Sequence, residues 1–414
     1  MREKSMRRRL LLLGAAAGAL ALTPQLGALG SLPDCWVLRR GAVAALPVSA
    51  AVRASVEESG VAALRTGRDG GVTLAAGAEG EAELTFRLLG LLPVRTVTVS
   101  VQPERRLVPG GQSVGVALNT DGVMVVGSSD LGKTASPARV AGLKSGDVIQ
   151  RVDGCAVSEA EELSACLAAG RTVRLDVLRD GKRIACDVTP AVDSRDGLYK
   201  LGAWVRSSTA GVGTLTYYDP DSGRFGALGH AITDVDTGVT LPVGEGALYQ
   251  NHVVMVTPSR KGSPGELTGD FFADARQAGT VDKNTDFGIF GAADGPMDNP
   301  LYPDGLPVAA RSEVHTGEAT LLTTVDGGAV RPYACRVEKV NERGGPSTRA
   351  LVIRVTDPEL LARTGGIVQG MSGSPILQDG RIIGAVTHVM VNEPAMGYGN
   401  LIEDMLDAAG AAGE

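Results

Sequence analysis

Gly370-Met371-Ser372-Gly373-Ser374-Pro375, followed by an apolar run, the pair Asp379-Gly380 and a second apolar run ending at Ala385-Val386, decides how this chain is read. An Asp-Gly pair between apolar runs signals a two-residue turn joining two strands. Glycines on both sides of Ser372 permit a tight turn and a close backbone approach. Backbone N–H groups beside such a serine can converge on the oxyanion of a tetrahedral intermediate. The stretch therefore predicts Ser372 as a nucleophile, with the N–H groups of Gly370 and Ser372 as its oxyanion hole. Ser374 is the rival, but it would follow the hole rather than complete it.

A serine hydroxyl needs a base of near-neutral pKa, and imidazole is the usual one. The chain has 4 histidines. His230 ends Phe225-Gly226-Ala227-Leu228-Gly229-His230, a strand running into glycines and small residues that leave room for a substrate backbone. His252 and His388 lie in apolar runs and read as packing or hydrogen-bonding residues, and His315 reads as a loop residue. A carboxylate should orient the imidazole. Asp357 follows the apolar strand Val352-Ile353-Arg354-Val355 and lies close before Ser372, whereas Asp286 follows His230 at a more ordinary distance; spacing alone leaves both open. Asp234 and Asp236 read as turn residues. The pattern is Gly-x-Ser-x-Ser, without surrounding strand–helix alternation, which argues against an α/β-hydrolase elbow.

The 414 residues, 43% hydrophobic and 21% charged, hold enough apolar material for two or three domains with cores. With 56 glycines, 21 prolines and 4% aromatics, the composition favours a mostly β protein with many tight turns. A net charge of −7 gives no electrostatic reason to expect nucleic acid as a partner. Arg2, Lys4, Arg7, Arg8 and Arg9 precede an apolar stretch from Leu10 to Leu22, so residues 1–30 read as a signal peptide or a membrane anchor. Cys35, Cys155, Cys166, Cys186 and Cys335 lack metal-type spacing and read as small buried hydrophobes, with a Cys166–Cys186 disulfide as a minor alternative. No Walker loop, dinucleotide fingerprint or histidine cluster is seen, so no metal and no cofactor is expected.

Residues 31–106 show alternating strands between glycine-rich turns and read as a β-rich connecting domain. Residues 107–192 carry Ala141-Gly142-Leu143-Lys144-Ser145-Gly146-Asp147-Val148-Ile149, a capping box at Ser158-Glu159-Ala160-Glu161, a helix bearing Leu163 and Leu167 with Gly170 as its stop, and strands around Asp180-Gly181. This series resembles a PDZ domain. Such a domain captures a peptide by strand addition, with loop N–H groups holding a terminal carboxylate. The resemblance implies that Ser113, Val114, Gly115 and Val116 form that loop and open edge. Residues 193–409 show short β-runs and glycine turns to the end, enough for a pair of six-stranded barrels by analogy with chymotrypsin-like peptidases, and a closing helix over Leu401 to Ala408.

The basic-apolar leader, the PDZ-like unit, "GALGH" and "TGGIVQGMSGSPILQDGRIIGAVTHVMVNEPAMGYG" together resemble the SpoIVB peptidase family of endospore-forming bacteria over nearly the whole chain. The resemblance implies a serine endopeptidase exported across the forespore inner membrane into the intermembrane space, where an anchored leader would tether it to the membrane. It implies cleavage of itself in trans and of a regulator of an intramembrane protease complex, signalling to a late sporulation sigma factor. Matched residue by residue, it implies His230, Asp357 and Ser372 as the catalytic set, with Asp286 as the alternative carboxylate. Peptidases of the HtrA type pair the same domains in the opposite order. A reading from another class is a non-catalytic, membrane-tethered PDZ adaptor that binds protein termini.

Overall fold

The computed structural model describes residues 29–410 except 31, 50, 57–59, 68–70, 271–274 and 342–344. Most of the expected leader lies outside the described residues. The chain divides into two compact units, one ending at Arg105 and the other starting at Arg106. In the first, Val97, Val99 and Val101 alternate with more exposed neighbours along Leu92–Gln102, and the buried side joins Leu84 and Phe86 of Gly80–Leu88 in a core. These strands sit in a four-stranded sheet with Cys35–Arg39 and Val52–Val56; a three-stranded sheet packs into the same core.

The second unit begins with β1 (Ser113–Ser128). Helix α1 (Pro137–Val140) and β2 (Val148–Val152) follow, then α2 (Ala160–Leu167), β3 (Val173–Arg179) and β4 (Lys182–Val188). Strand β5 (Ala203–Asp219) is succeeded by β6 (Arg224–Ala227), β7 (Val243–Gln250), β8 (Gln277–Thr285) and β9 (Gly288–Ala293). Pairing runs β1-β7-β8-β9-β6-β5, and β5 pairs back to β1, which closes a first six-stranded barrel. Closure removes the unpaired edges that an open sheet exposes. Its interior holds Val116, Leu118, Phe225, Leu248 and Ile289.

A second closed barrel is formed by β10 (Gly317–Thr323), β11 (Arg331–Val340), β12 (Leu351–Val355), β13 (Pro375–Gln378), β14 (Arg381–Val389) and β15 (Met396–Leu401). Helix α3 (Pro358–Thr364) lies between β12 and β13, and α4 (Ile402–Ala408) ends the described chain. Tyr217 and Phe290 of the first barrel, with Leu107 just before it, pack against Leu377 and Ile382 of the second and Met405 of α4. The protein is thus mostly β, with a chymotrypsin-like barrel pair.

The PDZ-like strands share backbone with the barrel: the far half of β1 carries β2, β3 and β4 while its near half belongs to the barrel. One expectation is corrected, because Ser113 to Val116 do not form an open edge. Val114, Gly115 and Val116 pair with Gly213, Val212 and Gly211 of β5 on one side and with Gln250, Tyr249 and Leu248 of β7 on the other. Ser113 pairs with Thr214, and its hydroxyl accepts from Asn251 at 2.7 Å. With both sides already bonded, these residues cannot take up a peptide strand.

Local signals fare better. Asp180-Gly181 and Asp379-Gly380 have positive φ at both residues, the conformation that tight hairpins require. The helix cap is displaced by one residue, since Glu162 rather than Glu161 reaches back to the N–H groups of Ser158 and Glu159. The five cysteines are free, and only Cys335 is buried.

Within the PDZ-like part, buried Asp147 receives Nε and Nη2 of Arg179, each at 2.6 Å, and the N–H of Lys144 at 2.8 Å. Breaking such a pair leaves an uncompensated group, which costs about 3–5 kcal/mol when fully buried and less here because Arg179 is part-exposed. Because β1 and β5 run through both parts, Asp147→Ala is expected to lower the melting midpoint of the first barrel along with that of the PDZ-like strands. Hydrogen exchange of β8 and β3 amides checks this; loss of protection in β3 alone would show the parts to be uncoupled.

Candidate active site

Strand β6 ends where Leu228 and Gly229 turn with φ of 70° and 71°, delivering His230 to a cavity between the barrels. Asn400 of the second barrel donates to the Gly229 carbonyl at 2.9 Å. On the other side, Asn284 accepts from the N–H of Ile232 and donates to its carbonyl, both at 2.8 Å. The histidine is therefore held from before and after by amide side chains, neither of which any sequence motif marks.

The nucleophile loop is held across the barrel interface by β5. Thr214 N–H donates to the Ser372 carbonyl at 3.0 Å, Thr214 Oγ1 to the Gly370 carbonyl at 2.8 Å and Thr216 Oγ1 to the Gly373 carbonyl at 2.8 Å. A Cβ on Gly373 would lie 2.2 Å from the Thr214 carbonyl, so only glycine fits there. Buried Ser374 donates to Thr323 at 3.1 Å and has no place in the cavity lining, which removes it as a rival nucleophile.

Between Gly370 and Ser374 three of the five backbone donors are bonded among the described residues. Met371 N–H bonds Val368, Gly373 N–H bonds Val386 and Ser374 N–H bonds Met371, while the N–H groups of Gly370 and Ser372 have no protein acceptor. Two unused donors, one on the serine itself and one two residues before it, are what an oxyanion hole is built from.

His230, Ser372, Asp286, Thr387 and His388 line one cavity of about 1110 Å³. In the resting arrangement Ser372 Oγ donates to the Thr387 carbonyl at 2.9 Å, so the hydroxyl has yet to turn towards the imidazole. His230 Nδ1 lies 2.7 Å from the Ala231 carbonyl. A carbonyl only accepts, so Nδ1 carries the proton and Nε2 of the neutral ring is the free base. Desolvation lowers the His230 pKa, opposed by that carbonyl bond. The His388 ring lies 5.0 Å from it, centroid to centroid. Loss of hydration pushes the His388 pKa down to about 4, with repulsion from His230 and Arg349 adding to the shift.

The structure does not bring Asp357 to this cavity. It is the N-cap of α3, where its carboxylate accepts from the N–H groups of Glu359 at 2.9 Å, Leu360 at 3.0 Å and Ala334 at 3.3 Å. Asp286 lines the cavity but makes no hydrogen bond to His230. The Ala231 carbonyl occupies the place of an orienting carboxylate. His388, read from its apolar run as a packing residue, instead lies beside His230 with part of its surface open to solvent and the rest desolvated, because β14 turns it outwards between buried Thr387 and half-buried Val389. His252 is also exposed, and His315 pairs with Asp379 at 2.8 Å at a hairpin turn.

Residues 197–406 match the family model of the SpoIVB peptidase S55, and residues 112–189 match that of the PDZ domain. The magnetosome formation protease MamE of Paramagnetospirillum magneticum is 55% identical over 49 residues, which are 11% of this chain and 7% of that protein. The active form of the Rv3671c protease from M. tuberculosis is 16% identical, with a TM-score of 0.30 over 49% of this chain and 75% of that one. The PDZ domain of an SdrC-like protein from Listeria monocytogenes is 27% identical, with a TM-score of 0.18 over 20% of this chain and 87% of that one. With its matched segment covering half of the chain, all of the second barrel and every strand of the first except β1, and carrying His230 and Ser372, the chain belongs to the SpoIVB peptidase family of serine peptidases.

Proposed function

We propose that this serine peptidase is exported across the forespore inner membrane, cleaves itself in trans and cleaves a regulator of an intramembrane protease complex, thereby signalling to a late sporulation sigma factor. Family membership supports the signalling role, and the basic-apolar leader supports export. The observation that carries the chemistry is the meeting of His230 and Ser372 in one cavity with two unused N–H groups. A non-catalytic adaptor would have no use for that convergence.

Each step follows from the groups present. Ser372 Oγ turns from Thr387 and attacks the scissile carbonyl carbon while His230 Nε2 takes its proton. The carbonyl oxygen becomes the oxyanion between the N–H groups of Gly370 and Ser372. Collapse of the intermediate breaks the C–N bond, and His230 returns the proton to the leaving amine. Water then repeats the sequence on the acyl-enzyme, releasing the new carboxyl terminus and restoring Ser372. The Ala231 carbonyl keeps Nε2 facing the reaction throughout.

Ser372→Ala is expected to abolish both labelling by a fluorophosphonate and fragmentation of the purified full chain over time. Labelling that survives would place the nucleophile elsewhere. Asp357→Asn separates two roles, because asparagine caps a helix as well as aspartate does. The capping geometry predicts kcat/KM within a few-fold of the parent, whereas a carboxylate that orients the imidazole predicts a loss of about 10⁴ in kcat.

The reactive form of His230 is neutral, and a lowered pKa keeps it neutral to lower pH. The acid limb of kcat/KM should therefore fall below about 6.5, the ordinary histidine value. Linkage has the same sign: the unfolded chain binds more protons at His230 and His388, so their contribution to stability is present above about 6.5 and lost as pH falls below it. Rate and melting profiles between pH 4 and 8 test both statements; an acid limb at or above 6.5 would contradict the desolvated base.

A further inference from the structure

Strand β5 leaves one side open along most of its length. Thr214 points both its polar groups away from β1, donating to Ser372 and accepting from Leu228 N–H at 3.1 Å. Side alternates residue by residue along a strand. Val212 and Ala210 therefore point their N–H and C=O groups the same way, towards the cavity they line, and no strand pairs with them there. Ala210 and Gly211 are exposed, and a Cβ on Gly211 would meet nothing within 4 Å. At the other end, the Gly202 carbonyl accepts from Ser129 on the β1 side at 2.9 Å, which turns Ala203 outwards.

Helix α2 runs antiparallel beside this open side. Near its start Glu159 accepts from Ser207 Oγ at 2.6 Å, and beyond its end Gly170 meets the ring of Tyr199, just before β5 begins. The turn Leu201-Gly202 is buried, and Gly202 has φ of 62°. Its carbonyls are taken by Ala138 N–H and Ser136 Oγ, while the N–H groups of Leu201 and Gly202 have no acceptor among the described residues. Buried donors without partners are costly, and successive free N–H groups at a left-handed turn make an anion site. One strand edge thus joins a carboxylate-sized donor pair at Leu201 and Gly202 to the carbonyl of Ser372.

Resting on the peptidase reading above, we propose that the open edge of β5 is a ruler. The free carboxyl terminus of a protein substrate binds the N–H groups of Leu201 and Gly202. Its preceding residues add antiparallel to β5, past α2 and then past Ala210 and Val212. An antiparallel strand with its C-terminus at Ala203 runs its N-terminal end to Thr214, where Ser372 waits. With one peptide residue per strand residue, and one lost to the bulge between Arg206 and Ser208, cleavage falls about ten residues from the substrate's end.

The test digests a mixture of random-sequence peptides of about 25 residues, prepared both as free acids and as carboxyl-terminal amides, with the full chain, and reads cleavage positions by mass spectrometry. Free-acid peptides should be cut in a narrow band about ten residues from the end, and amidation should erase the band and slow cleavage by about tenfold. Cleavage positions that follow sequence alone, identical in both forms, would overturn the ruler. So would labelling of Ser372 by a fluorophosphonate with no peptide cut at all. Absence of that labelling would instead sink the peptidase reading on which the ruler stands.

Discussion

The contact between β5 and the Gly370–Gly373 loop is the constraint on which the site depends. His230 belongs to one barrel and Ser372 to the other, and neither barrel alone can bring a base to a nucleophile. Thr214 and Thr216 fix the loop carbonyls with three hydrogen bonds. Each contributes on the order of 0.5–1.5 kcal/mol net. Their larger effect is positional: they hold the loop against β5 across the barrel interface, so that Ser372 sits in the same cavity as His230. Asn400, reaching from the second barrel to Gly229, ties the histidine end of the same interface.

Strand sharing gives the molecule its second distinctive property. In β1 and β5 the barrel and the PDZ-like part are two lengths of the same backbone, 16 and 17 residues long. Strain introduced beside α2 is therefore carried along covalent, hydrogen-bonded strands to the residues lining the active site. A flexible linker would have decoupled the two parts, as inter-domain connections ordinarily do. The buried Asp147–Arg179 pair ties the loop before β2 to β3 at the far end of this arrangement.

Electrostatics at the site rest on dehydration rather than on a buried counter-charge. His230 keeps its proton on Nδ1 because a carbonyl can only accept, and loss of water disfavours its cationic form. His388 is disfavoured as a cation by the same loss and by its neighbour. A pair of rings 5.0 Å apart is thereby kept neutral, the state a general base needs.

Local chemistry was legible in the residues themselves. Asp-Gly pairs marked their hairpins, Gly370-Met371-Ser372-Gly373 marked a tight serine turn, and Leu163 with Leu167 marked a helix face, because each depends only on neighbours in sequence. Asp357 shows the limit. Its place after an apolar strand suits an orienting carboxylate and a helix N-cap equally, and only the position of Pro358–Thr364 distinguishes them. Ser113 to Val116 show the same limit for a strand, since hydrogen-bonding edges carry no side-chain signature, and their occupation by β5 and β7 appears only when the barrel closes. What the amino-acid order determined was the turns, the β character and the serine and histidine that come to line one cavity. Which edges stay open, that a backbone carbonyl rather than Asp357 meets the imidazole, and which strands the two parts share were decided by long-range pairing, because backbone hydrogen bonds are satisfied by whichever strand the tertiary fold places alongside.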